Sequence, residues 1–231
     1  MTDAQMPARV TLKAGGVCAV FGAVAFTTAR LLHGDTPAAD AEAALDFVAA
    51  RPTYAAVHLF AVFAAVLTLA GLIALADSLT RPSARMLARV AGASALVGLA
   101  VFAVESTSEG LALPELADAA ARATPGDRAD LVRAAQAVVA ATHGPSLIAI
   151  ALLFGVPLTL LGRAMVLDAY PSWLGWAGAV VGAITLIAAA GLFLAPALFP
   201  GALLYGVLAS LIVQAWWLAT GVLMLRRQAM R

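Results

Sequence analysis

The sequence predicts an all-α membrane protein, a bundle of six transmembrane helices, and three observations support this. Of its 231 residues, 63% are hydrophobic and only 12% are charged, whereas about a quarter of a typical soluble domain is charged. The mean hydropathy is +0.95. The apolar residues also form long continuous runs, and about 20 such residues in a helix cross a hydrocarbon core about 30 Å thick. These runs are too long and too continuous for the alternating strands of a membrane barrel.

The whole chain, residues 1–231, is predicted to be a single membrane domain. Its six spans are expected at about 12–32, 53–79, 87–109, 145–167, 173–196 and 203–225. Proline in the first turn of a helix and Pro–Gly turns predict three further short amphipathic helices on the outer side. They are expected at about 37–50, 114–123 and 127–142.

The distribution of charge predicts the orientation of the bundle. With the N-terminus inside, the cytoplasmic segments carry nine cationic residues and three acidic ones, whereas the outer segments carry five cationic and ten acidic ones. An excess of Lys and Arg in short loops marks the cytoplasmic side. We therefore expect both termini in the cytoplasm and the protein in a bacterial inner membrane.

Ionisable residues inside the spans are the best candidates for a site, because they are costly in lipid and are usually functional. When the spans alternate in direction, five of these ionisable residues lie at similar depth near the outer face. These candidate ligand-binding residues are Arg30, His58, Glu105, Glu109 and His143. The sequence predicts that they line an outward-facing polar cup.

The same residues allow several chemical interpretations. His58, Glu105, Glu109 and His143 include the donor types of a zinc or non-haem iron site, although no metal-binding motif such as HExxH or CxxC is present. Alternatively, His58 and His143 are the two axial ligands of a haem. A purely structural interpretation pairs Arg30 with Glu105, lets His58 bond a backbone group or a serine, and places His143 at a helix end.

Two further patterns concern lipids and partners. Arg81, Arg85 and Arg89 form a basic stripe at the inner leaflet, which suits anionic lipid headgroups but also serves as an ordinary topology determinant. Gly178 and Gly182 have the spacing that allows close helix approach, either within the bundle or at the seam of a homo-oligomer. Nucleic acid is not expected as a partner.

The stretch from Gly162 to Gly178 contains the motif Pro171-Ser-Trp173-Leu-Gly175-Trp176 between spans four and five. This motif resembles a family of uncharacterised bacterial six-helix integral membrane proteins, a domain of unknown function. The resemblance implies a six-helix fold in a bacterial inner membrane and carries over no functional residues.

Three functions therefore remain open from the sequence. The first is a membrane protein that binds or moves a small or lipidic ligand through the polar cup. The second is a metal- or haem-dependent membrane enzyme that uses the His and Glu residues of that cup. The third is an accessory or structural membrane subunit.

Overall fold

The computed structural model describes residues 5–199 and 203–229, and this part of the chain contains no β-strand. Six of its helical segments are long and apolar enough to cross a membrane. We number the α-helices in chain order: α1 Gln5–His33, α2 Ala41–Ala49, α3 Tyr54–Asp77, α4 Pro82–Arg122, α5 Pro125–Ile150, α6 Val156–Leu167, α7 Ser172–Leu194 and α8 Val213–Ala229. The expected six-helix membrane bundle is thereby confirmed.

Two of the spans contain a π-helical segment. Ala151–Gly155 joins α5 to α6, so that these three elements form one span, and Leu203–Ile212 precedes α8 in the last span. A π-helical turn leaves the regular hydrogen-bonding pattern, and its groups need other partners in lipid. The Ser94 hydroxyl of α4 donates to the Leu152 carbonyl oxygen in the first of these segments at 2.9 Å.

The core of the bundle joins all six spans. α1 packs on α3 and α8, α4 packs on α3, α5 and α6, and α6 packs on α7. The largest fully buried side chains include Leu72, Phe154, Leu161, Met165 and Trp217. Because lipid is as apolar as these side chains, close packing rather than the hydrophobic effect holds the helices together.

Glycines provide that close packing. A Cβ atom on Gly162 of α6 would clash with backbone atoms of Gly175 and Ala179 in α7, and a Cβ on Gly98 of α4 would clash with the backbone at Leu153. These helices touch backbone to backbone, which any larger residue prevents.

The predicted oligomer seam at Gly178 and Gly182 faces the interior of the same chain. A Cβ on Gly178 would lie 2.6 Å from the Trp216 indole, and Gly182 lies against the backbone of Thr159. Both glycines are therefore packed within the bundle, the first of the two interpretations that the sequence left open, and a homo-oligomer stays a prediction.

The outer ends of α4 and α5 differ from the sequence prediction. The predicted span 87–109 and surface helix 114–123 are one continuous helix, α4, with Pro114 inside it. Proline suggested a new helix start, but Leu113, Ala117 and Ala120 continue the buried face of α4 without a break, so packing keeps the helix intact across the missing N–H group.

The same correction applies to α5. The predicted surface helix 127–142 and the first turns of the predicted span 145–167 form one helix, with Pro145 inside it. Ala135, Val139 and Thr142 are buried before the proline, and Leu147 is buried after it. The common buried face continues through the Gly–Pro pair that predicted a helix end.

A second hydrophobic core lies beyond the bundle. A helix of 41 residues such as α4 is about 60 Å long, about twice the thickness of the hydrocarbon core, so its end projects from the membrane. There α2, α4 and α5 enclose a cluster of Ala41, Leu45, Val48, Tyr54, Leu113, Ala117, Ala120, Ala135 and Val139. We call this part of the protein the cap.

α2 is the one predicted outer helix that is separate from the spans. It begins at Ala41, later than predicted, because the Asp40 side chain accepts hydrogen bonds from the backbone N–H groups of Glu42 and Ala43. Hydrogen bonds of this kind cap the N-terminus of a helix and stabilise it. Arg128 of α5 bridges the carboxylates of Glu42 at 3.2 Å and Asp46 at 3.1 Å. α2 is thus joined to α5 by charge as well as by its apolar face.

On the opposite side of the bundle, Asp168 connects two loops. Its carboxylate accepts hydrogen bonds from the backbone N–H groups of Thr80 at 2.8 Å and Arg81 at 2.9 Å. Partial burial alone would raise the pKa of Asp168, but hydrogen bonds from the N–H groups of Arg81, Ala169 and Thr80 outweigh it and hold the pKa below its usual value. The nearby Arg163 guanidinium lies over the Trp176 ring, 4.5 Å from its centre.

We expect Gly162→Ala to lower the stability of the bundle, because the added methyl group has no room between α6 and α7. Overpacking of this kind costs about 1–3 kcal/mol. Thermal unfolding of the purified protein in mild detergent, followed by tryptophan fluorescence, measures the effect. Gly92→Ala is the matched control, since its Cβ would meet only the end of Leu72 at an ordinary 3.7 Å; an equal melting temperature for both variants would contradict the packing described.

Asp168 should make stability depend on pH in acid. Because its pKa is lowered in the folded state, the ionised form stabilises the fold above the unfolded pKa of about 3.9 and loses that effect as the pH falls through the lower folded value. Asp168→Asn is therefore expected to melt slightly lower than wild type at neutral pH and to lose less stability on acidification. Parallel melting curves at every pH would show that the carboxylate charge has no part in joining the loops.

Candidate functional site

One cavity of about 470 Å³ lies between the bundle core and the cap. Val139 of its wall belongs to the cap cluster, whereas Phe26, Ile150 and Phe154 belong to the bundle core. The wall is formed by α1, α3, α4, α5, both π-helical segments and the loop that follows α1. All five sequence-predicted site residues contribute to it: Arg30, His58, Glu105, Glu109 and His143.

His58 is held firmly on α3. It is buried, and its Nδ1 lies 2.9 Å from the backbone carbonyl oxygen of Tyr54 one turn earlier. Gly110 of α4 lies directly against the imidazole: a Cβ there would be 2.8 Å from the His58 Cβ and 2.9 Å from its Cγ. The histidine therefore has little freedom to change its position.

His33, the last residue of α1, meets His58 across the cavity. The Nε2 atoms of the two rings are 3.3 Å apart, and the ring centres are separated by 4.7 Å. The Nδ1 of His33 lies 2.8 Å from the Gly34 carbonyl oxygen. Gly34 has a φ of +72°, a conformation that glycine adopts without strain, and the chain turns there toward the cavity.

Glu109 completes a compact group with the two histidines. One ligand atom from each of His33, His58 and Glu109 lies within 4.8 Å of the others. The Tyr54 hydroxyl donates a hydrogen bond to Glu109 Oε1 at 2.8 Å and also lies 3.0 Å from the Thr36 hydroxyl. Tyr54 thereby links α3, α4 and the loop after α1.

Glu105 lies one helical turn before Glu109 on α4 and is buried, with 8% of its surface exposed. Its Oε2 accepts a hydrogen bond from the Ser106 hydroxyl at 3.1 Å. The four ion pairs in residues 5–199 and 203–229 include neither Glu105 nor Glu109. The two carboxyl groups thus give the cavity an acidic wall.

Arg30 and His143 also line the cavity, and their part in binding a ligand stays a prediction. Arg30 pairs with Asp35 and donates to the Gly34 carbonyl oxygen, so the suggested ion pair with Glu105 is not formed. His143 lines the cavity from α5 but is exposed and stands outside the group formed by His33, His58 and Glu109. The Nε2 of His58 contacts the Nε2 of His33 at 3.3 Å, and haem ligation by His58 and His143 stays a prediction.

His33 is the site residue that the sequence prediction missed. Its position at the outer end of the first span suggested a surface residue. The signal that could have identified it is the glycine that follows, because His33-Gly34 permits the turn that brings the imidazole back over His58.

The three arginines proposed for lipid headgroups lie at the other end of the bundle. Arg81 precedes α4, Arg85 and Arg89 lie in its first two turns, and all three side chains are exposed. Headgroup binding by them stays a prediction.

Comparison with known proteins gives a family but no activity. The profile of a family described as a domain of unknown function, DUF4386, matches residues 14–221. No curated protein and no solved structure matches the chain.

Proposed function

This chain is a member of the DUF4386 family, and we propose that it binds an amphipathic small molecule or lipid in the cavity beneath the cap. A volume of about 470 Å³ lies within the range of about 300–1,000 Å³ that is usual for small-molecule sites. Such sites combine apolar walls with a few polar groups that orient the ligand.

The separation of polar and apolar groups along the cavity is the observation that carries the proposal. On α1, Phe26 lies seven residues before His33, and on α4, Phe102 lies seven residues before Glu109. Seven residues correspond to about 10 Å along a helix. On both helices the ionisable residue is nearer the cap, so a ligand would place its tail in the bundle and its head below the cap.

Helix α5, which runs in the opposite direction, shows the same order of polar and apolar groups. His143 of α5 comes first, and Ile150, Leu153 and Phe154 follow deeper in the span. Leu153 and Phe154 lie in the π-helical segment Ala151–Gly155, and segments of this kind are frequent at functional sites. The irregular part of the helix therefore shapes the apolar end of the cavity.

The acidic wall favours a particular kind of head group. Glu105 and Glu109 have no cationic partner among the described ion pairs, whereas Arg30 already pairs with Asp35. Each carboxyl group already accepts one hydrogen bond, Glu105 from Ser106 and Glu109 from Tyr54, but a buried carboxylate is stabilised further by a positive charge or an additional donor. We therefore infer that the head group is an amine or another strong hydrogen-bond donor.

The charge distribution supports access from outside the cell. The side of the bundle opposite the cap contains arginines in a loop and at the adjoining helix ends, including Arg81, Arg85 and Arg163, and the positive-inside rule assigns this side to the cytoplasm. On this basis both termini are cytoplasmic, and the cap and cavity face the exterior of a bacterial inner membrane.

Filling the apolar end should abolish ligand binding. Ala61 of α3 lines the cavity, so Ala61→Phe is expected to remove the rise in melting temperature that n-alkylamines of increasing chain length produce in wild type. Val66→Phe is the matched control, because Val66 lies on the same helix and is 45% exposed toward lipid. Equal stabilisation of the two variants, or no response in wild type, would contradict binding in the cavity.

Removing the buried carboxyl group of Glu105 should change head-group preference. We expect wild type to bind n-alkylamines at least about tenfold more tightly than fatty acids of equal length, a difference of roughly 1.4 kcal/mol, and Glu105→Gln to lose most of that preference. Glu115→Gln provides the control, since Glu115 is an exposed residue of the same helix outside the cavity. Competition titrations by isothermal calorimetry in detergent measure both affinities; an unchanged ratio in Glu105→Gln would assign selectivity elsewhere.

A further inference from the structure

We propose that His33, His58 and Glu109 form a binding site for a first-row transition metal ion, with Zn²⁺ as the reference ion. The site lies at the polar end of the cavity.

Both rings are fixed in the same tautomer by the backbone. The Nδ1 of His33 lies 2.8 Å from the Gly34 carbonyl oxygen, and the Nδ1 of His58 lies 2.9 Å from the Tyr54 carbonyl oxygen. A carbonyl oxygen can only accept, so each Nδ1 carries a proton and donates it. In a neutral imidazole the other nitrogen, Nε2, then presents a lone pair.

The two Nε2 atoms that carry these lone pairs are in contact. The Nε2 atoms are 3.3 Å apart, and neither has a proton to donate while both rings are neutral. Two acceptors in contact in a partly buried site repel each other unless a cation lies between them. A metal ion and an additional proton are the two candidates.

The spacing fits a metal ion well. Zinc binds imidazole nitrogen at about 2.0–2.1 Å with tetrahedral angles, which places two such nitrogens about 3.3–3.4 Å apart. The observed separation of 3.3 Å agrees with that value. An N–H···N hydrogen bond between one protonated and one neutral ring fits this distance as well, so the third ligand has to distinguish the two candidates.

Glu109 supplies the third ligand and the negative charge. Its carboxylate lies within 4.8 Å of the ligand nitrogens of both histidines, and the Tyr54 hydroxyl holds Oε1 by a hydrogen bond of 2.8 Å. In metal sites generally, groups that are hydrogen-bonded to the ligating side chains hold those side chains in orientation. Here these groups are the two backbone carbonyls and the Tyr54 phenol. Nitrogen and oxygen donors together favour zinc and its neighbours over calcium or magnesium.

The proposed ligand set differs from that predicted by the sequence. His33 replaces His143 as a ligand. Glu105 lies one helical turn before Glu109 and is not a ligand of the ion. Three protein ligands leave a fourth tetrahedral position open, as in zinc sites that bind water or a substrate. Here the cavity adjoins the three ligands.

Metal counting tests the site directly. The full-length protein is purified in detergent with an affinity tag that contains no histidine, loaded with Zn²⁺, desalted and measured by inductively coupled plasma mass spectrometry. We expect about one zinc per chain in wild type, and loss of most of it in His33→Ala and Glu109→Gln. His143→Ala is the matched control, a histidine of the same cavity that should leave the zinc content unchanged.

Melting curves separate loss of the ion from loss of the fold. In EDTA, His33→Ala should melt close to wild type, and added Zn²⁺ should stabilise wild type only. Cobalt substitution should give the visible d–d bands of a tetrahedral ion in wild type and not in His33→Ala. Zinc well below one equivalent in wild type, or equal zinc in His33→Ala, would overturn the proposal and leave a shared proton between the rings.

Tyr54→Phe tests the hydrogen bond behind the ligand. Removing the phenol should raise the Kd for Zn²⁺ about tenfold to a hundredfold, as for other partners of ligating groups, while tetrahedral cobalt bands persist at saturation. An unchanged Kd would show that Glu109 is not a ligand held by Tyr54. Ala61→Phe should keep its zinc, so failure of ligand binding and failure of metal binding can be told apart.

Discussion

The mismatch between helix length and membrane thickness determines this architecture. α4 and α5 carry their apolar faces well past the hydrocarbon core, and a helix end outside the lipid must bury such a face against protein. α2 meets this need and forms the cap. The cap in turn borders a zone between two hydrophobic cores, where polar side chains find hydrogen-bond partners.

That boundary explains why ionisable residues can be buried there. Deep in the bundle, hydroxyl groups such as those of Thr68 and Thr185 bond to their own helix, which satisfies them without a charge. Near the cap, Tyr54 and Ser106 offer hydrogen bonds to carboxylates from neighbouring residues. The protein thus keeps the buried acidic groups Glu105 and Glu109 at a level where the fold supplies hydrogen-bond donors.

Much of the architecture can be predicted from the sequence because its causes are local. Run lengths fix the six spans, and alternating direction brings Arg30, His58, Glu105, Glu109 and His143 to one cavity. Their part in binding a ligand or a metal stays a prediction. The helix boundaries predicted at Pro114 and Pro145 were wrong. The tendency of proline to interrupt a helix is a local effect, whereas the buried faces that continue across both prolines are stabilised by tertiary packing.

His33 could not be placed for the opposite reason. Its contact with His58 depends on one backbone turn at Gly34, and a sequence pattern shows that glycine permits such a turn but not that the chain makes it. The Arg30–Asp35 pair likewise depends on this turn. The conformation of this short connecting segment therefore determines which side chains share the site.

The loop after α1 has two roles at once. Its residues Gly34, Asp35 and Thr36 form part of the cavity wall, and the Gly34 carbonyl also fixes the tautomer of His33. Transient local unfolding of this loop would uncover the cavity and free His33 in a single event. The entry rate of a guest molecule and the exchange rate of a bound ion would then share one kinetic barrier, set by the stability of a turn a few residues long.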